Sequence, residues 1–166
     1  VDTALPIGHA QTISQPFVVA LMSEMLLTAT KKNQRVLEIG TGCGYQTAIL
    51  SHLFDRVYSV ERILSLLQRA EKNLELLSIN NATLQHGDGT TGWPGQEIFD
   101  AIIVTAASDN LPQPLLGLLK PDTCLIAPIG VPGHQQLTTL RNQNGLISSE
   151  TTDAVCFVPL LSGTCN

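Results

Sequence analysis

Short apolar runs alternate with amphipathic stretches from residue 36 to residue 129, and that alternation alone predicts an architecture. Val36–Ile39, Arg56–Val60, Ala82–Gln85, Phe99–Val104 and Thr123–Ile129 read as strands. Between them, Gln46–Phe54, Ile63–Leu77 and Leu111–Leu119 carry apolar residues at helical spacing. Ahead of this set, Phe17, Val18, Leu21, Met22, Met25 and Leu26 fall mostly along one stripe, which predicts a further helix. Ser14 is the expected N-cap, with Pro16 early in the first turn. Leu5–Pro16 reads as turns and Thr30–Gln34 as a polar loop.

Strands that alternate with helices imply βαβ units, a parallel sheet and right-handed crossovers. The end of the chain breaks the pattern. Gln135–Leu140 and Thr152–Leu160 are both strand-like, with Asn142-Gln143-Asn144-Gly145 and no helix between them. Asn-Gly marks a tight reversal, so an antiparallel hairpin is expected at the sheet edge. The predicted fold is α/β: a doubly wound, mostly parallel seven-stranded sheet closed by a C-terminal antiparallel hairpin. No linker, repeat or low-complexity tract interrupts it, so residues 1–166 read as a single domain.

Composition narrows the partners. The chain is 43% hydrophobic and 14% charged with a formal net charge of −5, which argues against a broad basic face for nucleic acid. No apolar stretch approaches the roughly 20 residues that span a bilayer, so no membrane association is expected. The four cysteines (Cys43, Cys124, Cys156, Cys165) are scattered, with no metal-ligand spacing. They read as reduced thiols of a cytoplasmic protein, and no metal site is expected.

The chemistry concentrates in Arg35–Thr47, where a strand ends in three alternating glycines, Gly40, Gly42 and Gly44, and runs straight into a helix. A dinucleotide site wants G-x-G-x-x-G, but Tyr45 stands where the third glycine would be. Glu38, just before the turn, is unfavourable beside a phosphate and favourable beside a cation. S-adenosylmethionine carries a sulfonium and an ammonium and no phosphate, and the loop fits it.

Ligands of such sheets sit at the carboxyl ends of the strands. The second strand ends in Glu61-Arg62, and Glu61 lies 21 residues beyond Gly40, the spacing of an acid that accepts from ribose hydroxyls. The third ends in His86-Gly87-Asp88-Gly89; Asp88 is placed to accept from an adenine amino group, with Gly89 letting the ring lie flat. The fourth ends in Val104-Thr105-Ala106-Ala107-Ser108, which is small and open. It lacks the Pro-Pro-aromatic element of enzymes that methylate exocyclic amines.

Thr12-Ile13-Ser14-Gln15-Pro16, Glu38-Ile39-Gly40-Thr41-Gly42, Ser59-Val60-Glu61-Arg62 and Phe157-Val158-Pro159-Leu160 together resemble the protein-L-isoaspartate (D-aspartate) O-methyltransferase family. The resemblance runs from about Leu5 to Gly163, and the Thr-Ile-Ser-Gln-Pro element is its specific part. It implies a Rossmann-like S-adenosylmethionine-dependent fold. It also implies methyl transfer to the free α-carboxylate of L-isoaspartyl residues in damaged proteins, with S-adenosylhomocysteine as product. Ser14 is then the catalytic residue, Thr12, Ile13 and Gln136 contact substrate, and Glu38, Gly40, Gly42, Gly44, Glu61, Arg62, Asp88 and Gly89 hold the cofactor. The resemblance further implies that this domain lacks a helical N-terminal segment of the family. Ala10 replaces an expected glycine, and Ser108 a common proline. Isoaspartyl proteins and peptides are the expected partners, with a monomer favoured. Two other readings remain at this point: a small-molecule O-methyltransferase of the same fold, and a non-catalytic S-adenosylmethionine-binding module.

Overall fold

A computed structural model describes residues 1–166 and carries the expected alternation through its middle. In chain order the elements are β1 (Leu5–Gly8), β2 (Gln11–Ile13), α1 (Pro16–Ala29), β3 (Arg35–Ile39), α2 (Tyr45–Ser51), β4 (Arg56–Glu61), α3 (Leu64–Leu76), β5 (Ala82–His86), β6 (Ala101–Val104), α4 (Gln113–Leu116), β7 (Cys124–Ile129), β8 (Gln135–Gln143) and β9 (Leu146–Val155). Seven strands form one sheet in the order β5-β4-β3-β6-β7-β8-β9, with β1 and β2 pairing separately. The five strands β3 to β7 are parallel, and β8 and β9 are antiparallel to their neighbours.

The central parallel strands β3, β6 and β7 are buried on both faces and read as mostly apolar runs, whereas β5 at the edge is half-exposed. Leu37 and Ile39 of β3 and Ile102 and Val104 of β6 pack toward one side with Leu115 and Leu125. Val36, Ala101 and Ile103 pack toward the other with Met22 and Leu26 of α1 and Leu50 of α2. β3 lies between β4 and β6, so the strand order reverses there and the loops leaving β3 and β6 diverge. A crevice opens at that switch point.

Four expectations need correction. The helix α1 starts at Pro16 with Gln15 as its N-cap and no side-chain cap bond, so Ser14 is not the cap. The segment read as turns contains the β1–β2 hairpin, whose strands are too short to show a period and whose Ile7 is its only fully buried residue. Pro112 and Gly117 confine α4 to Gln113–Leu116. Finally, β9 occupies Leu146–Val155 rather than Thr152–Leu160. The Asn142–Gly145 reversal is where it was expected, but an edge strand exposed along nearly its whole length has no apolar alternation to mark it. The short Gly130–His134 connection forces β8 against β7 and leaves β9 on the edge.

Phe157–Leu160 is therefore not a strand but a strap beside the end of β6. Ala107 N donates to Val158 O (2.8 Å) and Leu160 N to Ala107 O (2.7 Å). Gln135, buried in β8, holds the start of the strap: Phe157 N donates to its Oε1 (2.6 Å) and its Nε2 donates to Phe157 O (3.2 Å). Gln135→Leu leaves both Phe157 groups unpaired, and a loss of about 1–3 kcal/mol is expected. In urea titrations the midpoint should fall while the slope stays constant.

Candidate active site

The turn after β3 is shaped by what it cannot hold. Gly40, Gly42 and Gly44 have φ of 99°, 57° and 89°, conformations that side chains rarely adopt. A Cβ on Gly40 would lie 2.3 Å from Thr105 Oγ1, at the end of β6. Thr105 uses that hydroxyl to donate to Ile39 O (3.0 Å) and Gly40 O (2.8 Å), so the two strand ends are laced together. A Cβ on Gly89 would lie 2.5 Å from Ile39 Cγ2. Gly44 differs: it lines no cavity, and its hydrogen faces Ala70 of α3, so it serves helix packing rather than ligand approach.

Two cavities meet at this turn. The first, a cleft of about 620 Å³, runs over Gly40, Gly42, Glu61, Arg62 and Gly89 and is walled by Val158–Leu161 of the strap. The second, of about 360 Å³, is lined by Thr12, Ile13, Ser14, Thr41 and Cys43. They share Ile7, Thr12, Gly40, Gly42 and Thr105. A wider apolar groove, about 1260 Å³, continues from Ser14 past Val18 to Ala154–Val158.

Glu61 lies where an acid was expected, on the cleft wall. Its Oε2 accepts from Gly42 N (2.8 Å) and its Oε1 from Ile63 N (2.9 Å). A carboxylate has about four acceptor sites, so it retains capacity for hydroxyls. Arg62 lines the cleft while its Nε donates to Gly163 O (3.0 Å), tying down the end of the chain.

Two acids are placed otherwise than expected. Asp88 does not line the cleft. Its Oδ1 accepts from Thr90 N (2.9 Å) and Oγ1 (2.6 Å), capping the 3₁₀ turn Gly89–Thr91, and its Oδ2 accepts from Gly163 N (2.7 Å). Partial burial pushes its pKa up. The hydrogen bonds from Thr90 and Gly163, with the Arg62 charge, outweigh this and hold it below the usual value. Glu38 does not face the cleft as an ion either: it is wholly buried beneath the glycine turn. Its Oε2 accepts from Thr47 Oγ1 (2.5 Å) and Ser59 Oγ (2.6 Å), and its Oε1 has no partner. Burial, opposed by those two bonds and aided by the charge of Glu61, raises its pKa from 4.5 to about 8. At neutral pH the acid is protonated.

On the acceptor side, Thr12, Ile13 and Ser14 are together, but Gln136 is not with them. It is exposed on β8, opposite Ile129 and Ala154, and lines neither cavity. Neighbouring strand residues point to opposite faces, so Gln135 points in and Gln136 out. Residue order alone missed Thr105 and the strap. Thr105 was legible only as a small residue at a strand end, and Phe157–Leu160 only as one of the segments carrying the family resemblance and as part of an expected strand. The hairpin carrying Thr12 is docked on α3, where His9 at its tip bonds Ser65 Oγ (2.8 Å) and Arg69 Nη1 donates to Ile7 O (3.3 Å). No three His, Cys, Asp or Glu side chains converge in a way that could hold a metal.

A doubly wound sheet with a glycine turn at its switch point, Glu61 on the cleft wall and a second cavity alongside has the architecture of the Rossmann-like S-adenosylmethionine-dependent methyltransferases. Within that class, residues 1–165 match the model of the family described as protein-L-isoaspartate (D-aspartate) O-methyltransferase (PCMT), and the chain belongs to this family. A protein-L-isoaspartate O-methyltransferase of Alteromonas mediterranea is 49% identical over 162 residues, covering 98% of this chain and 76% of the relative. One from Pseudomonas syringae pv. tomato is 52% identical over 163 residues, with the same coverage of 98% and 76%. A crystal structure from Plasmodium falciparum, described as a β-aspartate methyltransferase (PCMT) in complex with S-adenosyl-L-homocysteine, superposes with a TM-score of 0.85. It is 30% identical, and the match covers 97% of this chain and 81% of that one.

The buried acid gives a test of the site's electrostatics. Between pH 4.5 and about 8 the folded state keeps a proton on Glu38 that the unfolded chain has released. Stability from this group is therefore complete below pH 4.5 and is lost as pH rises to about 8. The slope is about 1.4 kcal/mol per pH unit. Glu38→Gln should flatten the pH dependence of unfolding free energy across this window, and an unchanged slope would contradict the placement.

Proposed function

We propose that the chain transfers a methyl group from S-adenosylmethionine to the free α-carboxylate of L-isoaspartyl residues in damaged proteins and peptides, a repair reaction. The observation that carries this reading is the shared wall. The cleft at the switch point and the Ser14 cavity are separated only by Ile7, Thr12, Gly40, Gly42 and Thr105, so a donor in one is adjacent to an acceptor in the other. The cleft residues fit the donor: Gly40 and Gly89 have no room for a Cβ, and the only ionisable side chains lining it are Glu61 and Arg62. Glu61 would accept from the ribose, Gly40 and Gly42 would pass beneath the methionine part, and Val158–Leu161 with Gly89 would enclose the base. When bound, S-adenosylmethionine supplies a methyl group activated by its sulfonium leaving group.

The protein's own work is positional. An isoaspartyl α-carboxylate has a pKa of about 3.5 and is already ionised at neutral pH, so no base is needed. Ser14 is half-buried in the acceptor cavity and is not engaged as a helix cap. Its hydroxyl donates to one carboxylate oxygen and turns it toward the donor, while Thr12 and Ile13 complete the wall. Orienting a pair in this way is worth roughly 7–11 kcal/mol. The apolar groove beyond Ser14 accommodates the flanking peptide and excludes water from the carboxylate.

Residues 1–166 act as one methyltransferase domain, monomeric and cytoplasmic, without nucleic acid or membrane partners. The formal charge of −5 argues against a broad basic face for nucleic acid, and no helix is long and apolar enough to cross a membrane.

Methyl-labelled S-adenosylmethionine offered with isoaspartyl and normal aspartyl forms of one peptide should leave base-labile label on the isoaspartyl form alone. Label on neither would sink the proposal. Ser14→Ala should lower kcat by about a hundredfold while S-adenosylhomocysteine affinity, read by calorimetry, stays within about twofold. Equal losses in both would remove Ser14 from the acceptor role.

A further inference from the structure

Beneath the glycine turn lies a chain of four polar side chains closed off from solvent. Thr41 is 3% exposed, and Ser59, Glu38 and Thr47 are 0% exposed. Ser59 is in β4 directly opposite Glu38 of β3 and lines none of the three cavities, so it can reach a ligand only through Thr41. A serine hydroxyl has one proton, and Ser59 gives it to Glu38 Oε2 (2.6 Å). The 2.6 Å contact between Ser59 Oγ and Thr41 Oγ1 therefore takes its proton from Thr41. Thr41 sits between Gly40 and Gly42, two of the turn's three glycines, which lend it little intrinsic stiffness. Its backbone carbonyl accepts from Gly44 N (2.9 Å), and the only hydrogen bond of its side chain is the one to Ser59.

We propose that Ser59 is a positioning residue for the methyl donor: its hydroxyl relays Thr41 to Glu38 and so holds the Gly40–Gly44 turn in the shape that receives the donor. The inference rests on the reading that this turn holds S-adenosylmethionine. Removing the hydroxyl frees Thr41 to rotate and takes one of two donors from Glu38 Oε2, where no water reaches to replace it. The turn then samples shapes that do not bind, and donor affinity falls in proportion to the competent fraction. Chemistry in the bound complex is affected less, because Ser14 itself is carried by the segment after β2 and not by the turn.

The test is calorimetric titration of S-adenosylhomocysteine into the unaltered protein, Ser59→Ala, Thr41→Val and the double variant, with steady-state kinetics on an isoaspartyl peptide. Ser59→Ala and Thr41→Val should each weaken binding about tenfold and raise the donor KM by a similar factor, and for Ser59→Ala, whose residue lines no part of either cavity, kcat at saturating donor should stay within about threefold. The double variant should be no worse than either single one, since both break the same relay. Thr41→Ser, which keeps the hydroxyl, should restore affinity and serves as well if Ser59→Ala does not fold. A fall in melting temperature with unchanged donor affinity would overturn the proposal, as would additive losses in the double variant. Absence of binding by the unaltered protein would overturn the donor reading itself, and this inference with it.

Discussion

The turn after β3 and the end of β6 approach each other closely, and the site follows from that contact. Gly40 leaves no space for a methyl group beside Thr105, and Thr105 in turn bonds the two carbonyls that end β3. Two parallel strands are thereby pinned at their carboxyl ends at the point where the strand order reverses. Their loops must leave in opposite directions, and a crevice results without any residue being dedicated to opening it.

The acceptor side is mounted on this frame rather than built independently. The β1–β2 hairpin is too short to be stable alone, and it is held by Ile7 packing with Cys43, Ile63 and Leu66 and by the His9–Ser65 and Arg69–Ile7 bonds to α3. Because α3 also follows directly from the acid-bearing end of β4, both cavities are referenced to the same helix. The strap closes the arrangement from the other side. It runs from Gln135 past Ala107 to Gly163, which Arg62 and Asp88 hold. A methyl transfer that depends on alignment needs that common reference, since about an ångström of misplacement costs roughly a hundredfold in rate.

The acids show how position sets chemistry. Glu38 and Glu61 are a few ladder positions apart, yet one is protonated under the turn and the other is an acceptor on the cleft wall. The difference is solvent and donors: Glu38 has two hydroxyl donors on one oxygen and none on the other, whereas each oxygen of Glu61 has an amide. Cys124 follows the same rule, its thiol pushed up to about 11 by burial, while all four cysteines are free.

Residue order by itself determined the five parallel strands, the helices between them, the glycine turn and the acids at the ends of β4 and β5, because each has a local cause. A doubly buried strand is mostly apolar, and a positive-φ turn that passes as close to a neighbouring strand as Gly40 does has room only for glycine. The family was legible from Thr12–Pro16 and the strand-end motifs for the same reason: these residues are constrained by chemistry at one place. Tertiary structure decided what depends on direction. Gln135 rather than Gln136 faces inward, Ser14 stands outside the helix it precedes, and Gly44 meets Ala70 rather than a ligand. Asp88 caps a turn, and Glu38 faces Ser59 instead of a cation. A side chain's neighbours are set by elements tens of residues away, and no local period encodes them.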